Sequence, residues 1–147
     1  MPWSIRQNAP ADGPRVLEIW ARAVDTTHDF LTQDDRTAIA AEVADFLPGA
    51  PLLLAVDEQD RPLAFMLVTG GHMDALFVDP EVRGQGVGRA LVGHALRDAP
   101  HLTTDVNEQN SQAVGFYERM GFRRIGRTDH DGQGRPYPLL HLQKRGD

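Results

Sequence analysis

Apolar side chains recur at three- and four-residue intervals from Pro14 to Val24, at Val16, Leu17, Ile19, Trp20, Ala23 and Val24. This spacing predicts a helix with one buried face, entered at Pro14 with Asp12 as its cap. A second helix is predicted from about Gln33 to Leu47, with Ile39, Val43, Phe46 and Leu47 on one face and Pro48-Gly49 ending it. Asp25 to Leu31 reads as a polar loop with an apolar end. Elsewhere the period is two. Ser4 to Arg6 reads as a short first strand, and Leu52 to Val56 and Ala64 to Thr69 flank the polar turn Asp57 to Pro62 as a hairpin. His72 to Val78 is predicted as a strand ended by Asp79-Pro80, and its alternation puts His72, Asp74, Leu76 and Val78 on one face. After a glycine-rich turn from Arg83 to Gly88, Val87, Ala90, Leu91, His94 and Ala95 mark a helix that stops before Pro100. A strand from Leu102 to Val106 follows, then a helix from Ser111 to Met120 closed by Gly121. The pattern ends in a hairpin of Arg123 to Asp129 and Tyr137 to Leu142 around Asp131 to Gly134. Strands interleaved with helices predict an α/β or α+β class with a mixed sheet.

Composition narrows the function. The 147 residues, 41% hydrophobic, suit one core, so a single domain over residues 1–147 is expected. No run approaches eighteen apolar residues, and Met1 to Arg6 lacks the basic flank and apolar stretch of a signal peptide, so a soluble cytoplasmic protein without a membrane partner is expected. The absence of cysteine excludes disulfides, thiolate metal sites and a thiol nucleophile. A net charge of −6 argues against nucleic acid as a partner. The charge is uneven: residues 1–80 carry 5 basic and 13 acidic side chains, residues 81–147 carry 10 and 8. That division suits a protein joining a cationic acceptor to an anionic cofactor, or it is random drift in the sign of a solvated surface.

The segment Arg83-Gly84-Gln85-Gly86-Val87-Gly88-Arg89 stands between a predicted strand and a predicted helix. Such a turn is either a plain glycine turn or a cradle whose backbone N–H groups and helix dipole hold a pyrophosphate. It lacks the Gly-Lys-Ser/Thr of a Walker loop, and Arg89 stands where a Rossmann fingerprint needs its third glycine. A nucleotide-binding module is therefore a weak alternative. Neither serine, Ser4 nor Ser111, lies in a nucleophile elbow. The six histidines show no metalloprotease spacing, and Asp129-x-Asp131-Gly132 has Leu140 at the twelfth position of a calcium loop, so no metal is expected.

Strand, Arg83-x-x-Gly86-x-Gly88, helix resembles the acetyl-CoA pyrophosphate motif of the GNAT N-acetyltransferases. A second segment, Asn107 to Phe122, with Asn110, Tyr117 and Gly121-Phe122, is similar to that family's Asn, helix, Tyr, Gly-Phe segment, and the order of elements matches over essentially the whole chain. Asp25 to Leu31 and the His72 to Asp79 strand resemble one bacterial branch of the family in particular. The resemblance implies a splayed, mostly antiparallel sheet flanked by helices, acetyl-CoA as donor, and an amine as acceptor. The acceptor classes are a peptidyl lysine or protein N-terminus, or a small polyamine-like or aminoglycoside-like amine; a noncatalytic acyl-CoA-binding regulator is the alternative from another class. The expected assembly is a monomer or homodimer.

The resemblance also assigns roles. Backbone amides from Arg83 through Gly84, Gln85, Gly86, Val87 and Gly88 to Arg89 hold the pyrophosphate, while the main chain of Leu76, Phe77 and Val78 lies along the pantetheine arm and acetyl group. Asn110 contacts the cofactor. Tyr117 protonates the departing thiolate, and a phenol that ionises near pH 10 suits that task. Direct transfer needs a neutral amine, yet alkylamines are mostly protonated at neutral pH. Family positions equivalent to His72 and Asp74 face the acceptor, so Asp74 is expected to hold the ammonium by charge and His72 to relay its proton, unless both are structural polar residues at a strand end. His28, Asp29 and Phe30 fall where the family's first-helix loop covers the acceptor.

Overall fold

A computed structural model describes residues 3–145. The chain divides into two compact units, residues 1–67 with 75–92, and residues 68–74 with 93–147. Seven strands are hydrogen-bonded in the order β1-β2-β3-β4-β5-β7-β6: β1 (Ser4–Gln7), β2 (Leu53–Val56), β3 (Pro62–Thr69), β4 (His72–Val78), β5 (His101–Asn107), β6 (Arg123–Thr128) and β7 (Leu139–Arg145). Four α-helices accompany them: α1 (Gly13–Thr27), α2 (Gln33–Phe46), α3 (Val87–Asp98) and α4 (Ser111–Arg119). The mixed α/β class expected from the pattern is the one observed.

In the first unit β1 runs antiparallel to β2, and β2 to β3, with Leu54 opposite Phe65. Asp57 closes the β2–β3 turn by accepting from the Gln59 and Arg61 N–H groups, and Asp60 takes a φ of 63°. Val16, Ile19, Trp20 and Val24 of α1 bury their stripe against Leu52, Leu54, Phe65 and Leu67. This is the apolar face read from the sequence. Asp12 does not cap α1 with its side chain: the carboxylate accepts from the Arg6 guanidinium at 2.9 and 3.0 Å and from the Ala9 N–H at 2.7 Å, closing the 3-10 turn before the helix. The helix continues through Thr27, so the expected loop starts later, at His28. Asp25, the charge in that last turn, is held by Arg36 at 2.8 Å, whose guanidinium lies 4.8 Å above the Trp20 ring. Phe46 was expected on the buried face of α2 and is instead 59% exposed. The helix ends there, and the 3-10 turn Leu47–Gly49 carries Leu47 inward and leaves Phe46 outside.

In the second unit β5 pairs antiparallel with β7 from His101↔Arg145 to Asn107↔Leu139, and β7 pairs antiparallel with β6. Helix α4 stops at Gly121, whose φ of 94° suits only a residue without a Cβ. The last strand starts at Leu139, two residues later than expected, and runs to Arg145. Pro138 has no N–H for the ladder, and the Tyr137 N–H donates locally to the Arg135 carbonyl at 2.7 Å. β4 pairs parallel with β5 at His72↔Thr103 and Met73↔Thr104.

Candidate active site

The glycine turn is fixed from below by a buried anion. Asp79, 1% exposed, follows β4, and its N–H donates to the Leu63 carbonyl at 2.8 Å. Its carboxylate accepts from Arg15 at 2.6 Å and from the Glu81 N–H at 3.0 Å, and Arg22 stands at 3.4 Å. Burial alone would raise this carboxyl, but the Glu81 N–H and the two guanidinium groups outweigh it and hold the group below the ordinary carboxylate value. Above this anchor Gly84 and Gly86 take φ values of 83° and 87°. No protein atom lies within 4 Å of a Cβ built on either, so the backbone faces open space there. The first helical bond of α3 runs from the Ala90 N–H to the Gly86 carbonyl at 3.0 Å. The N–H groups of Val87, Gly88 and Arg89 therefore precede the helical ladder, and of these three residues Arg89 is the exposed one.

Side chains of this turn serve the scaffold. Val87 is buried, 1% exposed. Gln85 donates its N–H to the Val82 carbonyl at 3.4 Å, and the Arg83 guanidinium donates to Thr26 Oγ1 at 3.0 Å, tying the turn to the end of α1. Arg89 is exposed on the first turn of α3. Open glycine backbone, forward-facing amides and nearby guanidinium charge fit the pyrophosphate of acetyl-CoA. In β4, Phe77 turns its ring onto Phe65, with centroids 5.5 Å apart, and packs with Ala75 against the core. What Phe77 offers a ligand is therefore main chain.

The second unit holds Tyr117 and Asn110. Tyr117 is 6% exposed and lies edge-on to Phe116 and Phe122, each centroid 5.2 Å away. Burial pushes its phenol above the ordinary tyrosine value, and a hydrogen bond with Thr104 only partly opposes that. Thr104 Oγ1 donates its own proton to the Met73 carbonyl at 2.8 Å. Asn110 is buried as the N-cap of α4, with Oδ1 accepting from the Ala113 N–H at 3.1 Å. Its carbonyl oxygen thus positions α4 and the tyrosine that α4 carries.

His72 and Asp74 share the predicted face, with His72 Nε2 3.9 Å from Asp74 Oδ1. Two partners came from the next strand. His72 Nδ1 lies 2.7 Å from Thr103 Oγ1, and Nε2 lies 3.4 Å from Asp105 Oδ2. If the Thr103 hydroxyl points its proton at the Gly71 carbonyl, 3.4 Å away, it accepts from Nδ1–H and leaves Nε2 with the basic lone pair. The alternation of β5 could have placed Thr103 and Asp105 on one face, but nothing local pairs that face with His72. In the first unit, His28 ends α1, with Nδ1 2.7 Å from Thr27 Oγ1 and its ring 5.2 Å from Phe30. Burial lowers its pKa against the opposing pull of Asp29, so this imidazole is held neutral.

A family model described as "Acetyltransferase (GNAT) domain" matches residues 22–134. The chain is 58% identical over 139 residues to a protein of Salmonella typhimurium named peptidyl-lysine N-acetyltransferase YjaB, covering 95% of this chain and 96% of that one. Among solved structures it resembles the apo form of YjaB from Escherichia coli in solution, with a TM-score of 0.95, 56% identity and 100% coverage of both chains. A PaiA N-acetyltransferase from Thermoplasma acidophilum in complex with coenzyme A shares the fold, with a TM-score of 0.78 at 17% identity and 99% coverage of both chains.

Proposed function

The chain belongs to the GNAT acetyltransferase family and is an N-acetyltransferase that uses acetyl-CoA, and from that premise we propose that its acceptor is the side-chain amine of a peptidyl lysine. The 58% identical relative named for that acceptor carries the proposal. The carboxylate and imidazole on one face of β4 supply chemistry suited to a cationic amine.

Acetyl-CoA supplies an activated acyl group as a thioester. The amides of Gly84, Gln85, Gly86, Val87, Gly88 and Arg89 bind its pyrophosphate, with the Arg83 side chain holding the turn in place. The main chain of Leu76, Phe77 and Val78 aligns the acyl arm, and Asn110 sets the start of α4. Asp74 draws in the lysine ammonium, and His72 Nε2 takes one proton from it, leaving a lone pair to attack the acyl carbon. As the C–S bond breaks, Tyr117 would give its hydroxyl proton to the sulfur, and the second proton that the nitrogen sheds on becoming an amide would return through water to the phenolate; the raised pKa keeps the phenol protonated at neutral pH. His28, Asp29 and Phe30 belong to the loop that the family resemblance assigns to acceptor specificity, and burial lowers the pKa of His28.

The same reading makes residues 1–147 one acetyltransferase domain, acting in the cytoplasm as a monomer or homodimer. No helix among the described residues is long and apolar enough to cross a membrane. The net charge of −6 supports a role without nucleic acid.

The test is CoA release over a panel of lysine peptides, peptides with a free N-terminus only, polyamines and aminoglycosides, with mass spectrometry of the products. Acetylation at lysine Nε is expected to dominate. A preference for a small amine or for the α-amine would reassign the acceptor, and CoA binding without release on any amine would support the regulator.

A further inference from the structure

The His72 face continues beyond the residues so far given a role. Cross-strand partners share a face, so His72, Thr103, Gln143 and Arg123 form one row across β4, β5, β7 and β6. Asp105, His141 and Gly126 form the next row, beside Asp74. Asp105 bridges two imidazoles: Oδ2 lies 3.4 Å from His72 Nε2, and Oδ1 lies 2.6 Å from His141 Nδ1. His141 rests over Gly126, where a Cβ would stand 3.4 Å from its ring, in ordinary van der Waals contact. All three side chains are roughly one-third exposed, at 34%, 37% and 31%, so water reaches them but does not fill the space between. Among the described residues no group of His, Asp and Glu side chains is arranged to hold a metal ion. The chemistry left to this chain of groups is the handling of a proton.

We propose that Asp105, bridged to His141, is a positioning residue that holds His72 for proton transfer and stabilises the imidazolium formed when the acceptor amine loses its proton. The proposal rests on His72 as the base. Neutral His72 takes one proton from the ammonium at Nε2, the Asp105 carboxylate faces the new N–H, and the proton leaves to water. Asp74 on the same strand adds a second negative charge to Nε2. His141 works in the opposite direction: its imidazole draws on the same Asp105 carboxylate that serves His72. The remaining charged residue in these rows, Arg123 on β6, stands at the far end, with Gln143 and Thr103 between it and His72.

Two substitutions therefore have opposite signs. Asp105→Asn removes the anion, so the His72 titration midpoint, followed by NMR of the imidazole carbon, should fall by about one pH unit. The acid limb of the kcat profile should move to lower pH by the same amount, with a several-fold lower plateau and little change in KM. His141→Gln removes the competing imidazole, so midpoint and acid limb should both move up, and Asp105→Glu should restore native behaviour. An unmoved His72 midpoint in Asp105→Asn, or shifts of the same sign in both variants, overturns the proposal whatever the activity does. A midpoint that moves while the acid limb stays fixed overturns His72 as the base, and with it the role of Asp105 in the reaction.

Discussion

At the scale of single residues, Tyr117 and Asp74 have separable duties. Tyr117 must keep a proton and then give it up, and its burial among Phe116 and Phe122 secures the first half of that task. Tyr117→Phe should lower kcat by about 10² to 10⁴ while calorimetry shows unchanged CoA affinity. Because the phenol is raised, the native rate should show no loss to its ionisation up to about pH 10. A Phe variant as active as the parent would remove Tyr117 from the mechanism. Asp74 acts on the acceptor before chemistry, so Asp74→Asn should raise the KM for a lysine peptide with kcat nearly kept. His72→Ala should do the reverse, lowering kcat. Equal effects of both variants on CoA affinity would mean that they act on the fold. The shared face of His72 and Asp74 was readable from the alternation of β4 and Tyr117 from the family resemblance, whereas the partners Thr103, Thr104 and Asp105 were not readable. A local pattern states which face a side chain takes and is silent on which strand lies alongside.

At the scale of elements, the turn from Asp79 into α3 divides its work between an anchor and a cradle. The cradle needs backbone in the left-handed region at Gly84 and Gly86. Since a Cβ at Gly86 meets no protein atom, Gly86→Ala should cost the fold about 1 to 2 kcal/mol in strain alone. Its cost to the cofactor is read separately: calorimetry should find CoA binding weakened about tenfold or more, because the methyl group occupies the anion's approach. Unchanged affinity in the folded variant would separate the turn from pyrophosphate binding. The glycine spacing made this turn legible in the sequence. The anchor was not legible there, because Asp79 read only as the end of a strand and its meaning comes from Arg15 and Arg22, more than fifty residues away on α1.

At the scale of the whole molecule, two carboxylates tie stability to pH. Hydrogen bonds from Arg6 hold Asp12 below the ordinary value, and Asp79 is held below it as well. A carboxylate with a lower pKa in the folded state than in the unfolded chain contributes stability that is complete above the unfolded value, near 4. That contribution is lost as the pH falls through the folded value. Thermal unfolding followed by circular dichroism should therefore give midpoints insensitive to these two groups near neutrality and falling below about pH 4. Asp79→Asn should lower the midpoint at neutral pH and make the acid decline shallower. An equally steep decline in that variant would place the acid sensitivity elsewhere.

The sequence by itself determined the order of elements, the buried stripe of α1, the glycine turn and the pairing of His72 with Asp74 on one face, because each follows from the geometry of a single helix, strand or turn. It also carried the family, through two motifs in order. Only the structure decided that Phe46 lies outside, that Asp12 serves Arg6 and Ala9, and that α1 runs on to Thr27, since the spacing of apolar positions does not record which donors a carboxylate takes or where a helix gives way to a turn. The same holds for the active face. Thr103, Asp105 and His141 join His72 through the register of β4, β5 and β7, and a strand's register is set by the core it packs on and by the loops that deliver its partners. No stretch of sequence contains that information alone.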